Sequence, residues 1–260
     1  MSSRLIKRIA ALAAAGALAT AACGSSSNPQ TQPGPAATTT PVVSSAPAAD
    51  TTTAPTRGPA AATSPAYQAF RETPTACQAD PPPPVTPMTF VDHEDQGLAS
   101  DATVLVVFET SCGDIEVELD PAAAPLAVNS FVFLARRGYF DGSVSHRIVR
   151  GFMFQAGDPS ATGTGGPGYR IPVDEWPTAG FLYERGVVAM ANAGPASTGS
   201  QFFIMLGDPG LPPNFTVIGR VVSGDDVLDA IADIPVTARP TGEVSLPLEA
   251  LYLERVRTID

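Results

Sequence analysis

Apolar and polar positions fall into clear periods mainly in the second half of the chain. Residues 104–109 form a run rich in β-branched side chains, and beyond it Ile115, Val117 and Leu119 alternate with Glu116, Glu118 and Asp120. That period of two predicts two strands, the second half-buried, joined by a turn at Ser111-Cys112-Gly113-Asp114. Across 121–138 the period changes. Val128, Phe131, Val132 and Ala135 recur at helical spacing, prolines stand near the start, and Gly138 follows Arg136 and Arg137 at the end, which predicts a helix. Further strands are expected at 187–191, 201–206, 216–222 and 248–256, and residues 223–226 ahead of Val227, Leu228 and Ile231 signal a second short helix. Many short strands, two helices and no alternation of strand with helix point to a mainly β, antiparallel domain over 101–260.

The first hundred residues follow no such pattern. Arg4, Lys7 and Arg8 precede an apolar run over 9–22, the layout of a secretory signal and too short for a membrane span. The run ends Ala21-Ala22-Cys23-Gly24, which resembles a bacterial lipoprotein signal in which the cysteine becomes the lipidated first residue. Ala19-Thr20-Ala21 would also serve as an ordinary cleavage site. The chain is therefore expected to be exported and anchored by lipid on Cys23 at the outer face of the cytoplasmic membrane, with soluble secretion as the alternative. From 24 to 66 the only large apolar side chains are Val42 and Val43, so 23–66 reads as a disordered tether. Residues 67–100 hold Phe70, Cys77, Met88 and Phe90 around the prolines of 81–84, and are expected to lie on the domain as an irregular prelude.

Composition sharpens this division. The 27 prolines are concentrated in the stretch before residue 88, which leaves the remainder with ordinary composition and single-domain size. With 15 basic against 26 acidic residues the net charge is −11, and the only lysine is Lys7, so nucleic acid is not expected as a partner. Three cysteines with no C-x-x-C pair and two histidines, His93 and His146, leave too few ligands for a structural zinc site, and no metal is expected. With Cys23 lipidated, Cys77 and Cys112 form an even pair in an oxidising compartment and are expected to be bridged.

Two motifs carry candidate chemistry. Gly163-Thr164-Gly165-Gly166-Pro167-Gly168 satisfies the spacing of a dinucleotide loop, but Asp158-Pro159 precedes it and Ile171-Pro172 follows, where a strand and a helix are needed; a surface loop is the better reading. His146 has no nucleophile-elbow partner and reads as a partly buried histidine. The stretch from Ser145 to Asp158 is less easily explained. Period two puts Arg147, Val149 and Gly151 on one side and His146, Ile148 and Arg150 on the other, and neither is a clean core face. From His146 to Asp158 it reads HRxxxGFMxQxGD, and Met190-Ala191-Asn192-Ala193-Gly194-Pro195 follows, continuing through Gly199-Ser200-Gln201-Phe202-Phe203-Ile204. In these motifs the chain resembles the cyclophilins, a family of peptidyl-prolyl cis/trans isomerases, over roughly 104–260, and the family's GTGG accounts for the glycine loop.

The resemblance implies a closed eight-stranded antiparallel barrel capped by two α-helices, with a peptide groove on its outer surface. It implies isomerisation of X-Pro bonds in proline-containing polypeptides, with no cofactor, by a monomer. Arg147 matches the family's catalytic arginine, with Gln155 orienting it or the substrate carbonyl and Phe152 beside it. Phe152, Met153, Phe203 and Leu211 would seat the proline, Phe215 would close the pocket, and Gly163, Ala191, Asn192 and Gln201 would line the groove. Phe202 is assigned to the core, because adjacent strand residues face opposite ways. Gly210 stands where many members carry a tryptophan, which implies weak inhibition by cyclosporin. The competing function is a module that binds proline-containing partners, or a surface scaffold, with incidental turnover.

Overall fold

The computed structural model describes residues 63–259. The 1–22 leader, Cys23 and the tether as far as residue 62 lie outside the described residues. Strand β1 (Val104–Thr110) turns through Ser111 and Cys112 into β2 (Gly113–Leu119), where Ile115 and Val117 are fully buried and Leu119 nearly so, as their alternation requires. Helix α2 (Pro125–Arg136) starts later than its apolar spacing suggested. Asp120 Oδ1 accepts the Ala122 and Ala123 N–H groups and holds 121–124 as turns. Pro125 then supplies a preset first-turn φ, and Ala124 cannot cap. The Glu175 carboxylate caps instead, accepting the Leu126 and Ala127 N–H groups at 2.9 Å each.

Strands β3 (Ser143–Val144), β4 (Arg147–Val149), β5 (Met153–Ala156), β6 (Val187–Met190), β7 (Phe202–Met205) and β8 (Val217–Ser223) lead to helix α3 (Asp225–Asp233). Strands β9 (Val236–Ala238) and β10 (Val244–Pro247) form a separate hairpin, and β11 (Tyr252–Ile259) ends the described chain. The strand expected at 248–256 begins only at Tyr252. The Leu248 and Ala250 N–H groups donate instead to the Pro235 and Pro74 carbonyls, and the strand runs on to Ile259.

The mainly β, antiparallel architecture is found, but the closed eight-stranded barrel is not confirmed. Nine antiparallel strands form one curled sheet in the order β3-β11-β1-β2-β8-β6-β7-β5-β4, and the ladder does not close, since β3 and β4 each pair with one neighbour. These two edge strands are nevertheless separated in the chain only by Ser145 and His146. Ser145 spans both sides: its N–H donates to the Leu251 carbonyl beside β11, and its Oγ donates to the Gln155 carbonyl of β5 at 3.0 Å. A side chain thus takes the place of a ladder bond at the seam. Inside, Phe108, Phe131, Phe140 and Phe202 pack at centroid distances of 5.0 to 5.8 Å, mostly tilted or edge to face, with α2 contributing Phe131.

Beside the two helices expected in the domain, a third is present among the described residues. The prelude expected to be irregular contains α1 (Pro65–Arg71), which also crosses the expected tether boundary at 66, and a 3-10 turn at Ala76–Gln78. Ser64 Oγ caps α1 by accepting the Tyr67 N–H at 3.0 Å. Tyr67 is fully buried; its hydroxyl donates to the Gly142 carbonyl and accepts the Val85 N–H. Burying Tyr67 and Phe70 stabilises this belt by about 2 to 3 kcal/mol per ring, enough to hold a seven-residue helix that could not persist alone. Cys77 and Cys112 are joined, as expected, pinning the belt to the β1–β2 turn.

Candidate active site

Strands β5, β6 and β7 are buried on both faces, which is why the stretch from Ser145 to Asp158 shows no single core face. Phe154, Phe202, Ile204, Val188 and Met190 point into the main core. Met153, Phe203, Met205, Val187 and Ala189 belong to a second apolar cluster, against which Phe152, Ala191, Leu211 and Phe215 pack. Phe202 therefore lies in the core and Phe203 on the outer side, as strand alternation requires.

Cross-strand register builds the site on that outer side. Arg147 is paired with Gln155, Gln155 with Phe203, and Phe203 with Ala189, so one row across β4, β5, β7 and β6 carries a cation, an amide and an aromatic ring side by side. Arg147 Nη1 donates to Gln155 Oε1 at 3.1 Å and lies 4.0 Å from Met153 Sδ. Gln155 Nε2 donates to Gln201 Oε1 at 2.9 Å, and Gln201 Nε2 donates to the Gly165 carbonyl at 2.9 Å. The chain of amides links the guanidinium to the glycine loop.

That loop is organised by Asp158, which is fully buried. Its carboxylate accepts from the Ser160, Gly163 and Gly165 N–H groups and the Ser160 and Thr162 hydroxyls. Burial alone would raise its pKa, but the bonds from Ser160 and Gly165 outweigh it and hold the carboxyl below the ordinary range. Gly165 has no alternative here: a Cβ would sit 2.0 Å from Asp158 Oδ1. Loop 163–168, Gln155, Ala191, Asn192 and Gln201 line a cleft of about 540 Å³.

Phe203 and Phe215 meet edge to face at 5.4 Å, and Tyr183 fixes Phe215 by donating its hydroxyl to the Phe215 carbonyl at 2.6 Å and accepting the Phe215 N–H. The Asn192 side chain is engaged within the protein, donating to the Asn214 carbonyl and accepting the Gly194 N–H. All eleven residues expected to act on substrate thus fall on one outer face: Arg147, Gln155, Gln201 and Gly163 at the polar end, Phe152, Met153, Ala191, Phe203, Leu211 and Phe215 at the apolar end, and Asn192 on the cleft wall. Sequence reasoning missed Tyr183, Asp158 and the acid described next. Asp158 ends the first motif and could have been found there; Tyr183 lies outside any recognisable pattern.

The site has one further charged partner. Glu243, between β9 and β10, accepts from Arg147 Nε at 2.8 Å and Nη2 at 2.6 Å, a bidentate pair. The bond from Arg147 draws the Glu243 carboxyl down to about 2, against the partial burial that would raise it.

Comparison with known proteins agrees with this geometry. The profile of the family described as cyclophilin type peptidyl-prolyl cis-trans isomerase/CLD matches residues 105–247. The chain belongs to the cyclophilin-type isomerases. It is 38% identical over 154 residues to the peptidyl-prolyl cis-trans isomerase-like 3 of Dictyostelium discoideum, covering 58% of this chain and 92% of that one. To the probable peptidyl-prolyl cis-trans isomerase B of Mycobacterium leprae it is 41% identical over 145 residues, half of this chain and 49% of that one. The crystal structure of a Cryptosporidium parvum cyclophilin-type isomerase aligns with a TM-score of 0.55 at 27% identity, covering 61% of this chain and 99% of that one. The cyclophilin match begins at β1, so the belt at 63–103 precedes the matched region.

Proposed function

We propose that this cyclophilin domain accelerates cis/trans rotation of X-Pro bonds in proteins outside the cytoplasm, held at the membrane by lipid on Cys23. Rotation must break amide resonance, a barrier of about 18 to 20 kcal/mol, and makes or breaks no covalent bond. The reaction asks for a seat that grips the proline ring and a donor at the prolyl nitrogen, whose lone pair localises only as the amide twists. The juxtaposition of Arg147 with the seat of Met153, Phe203, Leu211 and Phe215 carries this reading. A guanidinium held preorganised by fixed hydrogen bonds needs no reorganisation to stabilise charge that develops beside it. Gln155 fixes it from one side while Gln201 and loop 163–168 take the residues preceding proline. A solved relative, 28% identical and again from Cryptosporidium parvum, was crystallised with the dipeptide Ala-Pro, which supports proline peptides as the class of substrate.

The export and anchor reading rests on the basic and apolar leader, the Ala-Ala-Cys-Gly junction and the proline-rich tether after it. The function is tested by exchange of an Ala-Pro peptide with and without the protein, where catalysed interconversion is expected and an unchanged rate would refute it. Cys23→Ala is expected to move the protein from the membrane to the soluble fraction; a variant that stays on the membrane removes the lipid anchor from the account.

A further inference from the structure

We propose that the β9–β10 hairpin is a positioning device for Arg147, with Glu243 as the residue that aims the guanidinium. This rests on the reading of Arg147 as the isomerising group. An arginine has long rotational freedom, and in β4 its backbone is tied to a single neighbouring strand, β5. Something other than the sheet must choose its direction. Gln155 takes one Nη1 proton with a neutral acceptor. Glu243 takes the Nε and one Nη2 proton together, so two parallel charge-assisted bonds fix the plane as well as the position of the fork. Among the described residues one Nη2 proton is then left without an acceptor, while Nη1 lies 4.0 Å from Met153 Sδ of the apolar seat.

The hairpin is built to hold that carboxylate. Ser245, fully buried, donates from Oγ to Glu243 Oε2 at 2.6 Å and accepts from Arg239 Nε at 2.9 Å. The Arg239 N–H donates to the Glu243 carbonyl at 2.8 Å, closing the turn, and the Arg239 guanidinium donates to the carbonyl of His146, the residue before Arg147. The hairpin therefore holds the start of β4 at two points, the backbone of His146 just before it and the side chain of Arg147. Arg239 also lies close enough to Arg147 for repulsion between the two cations, which Glu243 screens.

A carboxylate could instead weaken the guanidinium by neutralising it, and the two effects have opposite signs in the rate. Glu243→Gln separates them, because an amide can accept only one of the two N–H groups and turns its own NH₂ towards the other. The experiment measures exchange of an Ala-Pro peptide by the full chain for wild type, Glu243→Gln, Ser245→Ala, Arg147→Ala and the Arg147→Ala/Glu243→Gln pair, together with the Arg147 Nε–H resonance. Glu243→Gln is expected to lower kcat about tenfold, less than loss of a donor itself, with KM within about twofold. It should broaden or shift the Nε–H signal and add nothing to Arg147→Ala. Ser245→Ala, which keeps both charges, should lose rate in the same direction by a smaller factor, and it stands in if Glu243→Gln does not fold. If Arg147→Ala is inactive while Glu243→Gln and Ser245→Ala keep or gain rate, the positioning role is overturned and the catalytic assignment stands. An Arg147→Ala protein as fast as wild type would overturn the assignment of Arg147 itself.

Discussion

His146 stands one residue before Arg147 and is 3% exposed, and its Nδ1 has no hydrogen-bond partner among the described residues. Burial lowers its pKa from 6.5 to about 4, helped by the charges of Arg239 and Arg147 and opposed by Asp158. The folded ring stays neutral over a range where the unfolded chain binds a proton. Its contribution to stability is therefore complete above about pH 6.5 and is lost as pH falls towards 4. The melting temperature is expected to drop through that window, and to drop less steeply in His146→Gln; equal slopes would contradict the assignment. Glu243 acts lower, between its ordinary value of 4.5 and about 2, so the two groups are separable by pH. At this scale Arg147, Gln155 and Phe203 were legible because they lie in contiguous motifs. Glu243 was not: it stands 96 residues from Arg147, in a proline- and glycine-containing turn with no period to mark it.

Among the elements, the periodic ones were read with small errors and the belt was misread. Helix α1 had its signals, Ser64-Pro65 at the start and Tyr67 and Phe70 three apart, but the surrounding prolines hid them. The belt matters to the site because Phe90 packs on Phe133 of α2 at 5.0 Å while its N–H donates to the Pro167 carbonyl of the cleft loop at 2.7 Å. Its hold on the domain includes the Cys77–Cys112 bridge, which spans 35 residues. In the chain-entropy picture a loop of that size is worth roughly 3 to 4 kcal/mol. The double variant Cys77→Ala/Cys112→Ala should lose stability of that order in denaturant unfolding, with the folded domain still formed. A midpoint unchanged from wild type, or two free thiols on titrating the denatured, unreduced protein, would contradict it. Gly210, the position where the resemblance would place a tryptophan, has open space around it but a φ of +76°, so a tryptophan there would need the loop to rearrange.

At the scale of the whole described domain, a curled sheet lets one set of strands serve two apolar surfaces, a core inside and, outside, the cluster proposed to seat proline. The sequence motifs carried the seat and the glycine loop. Strand number and closure were not legible, because β3 and β4 are two and three residues long and Ser145 joins the sheet's ends through its side chain. The central claim is that this architecture aims Arg147 at a nitrogen that becomes an acceptor only when the amide is twisted. Exchange spectroscopy on an Ala-Pro peptide with wild type, Arg147→Ala and Arg147→Lys yields affinity and interconversion rate from the same sample. The account predicts that Arg147→Ala lowers the catalysed rate roughly 10² to 10³-fold with affinity little changed, and that lysine, which keeps charge but loses the planar fork, restores part of it. Loss of affinity and rate in equal proportion would make Arg147 a binding residue, and an undiminished rate would remove it from the mechanism.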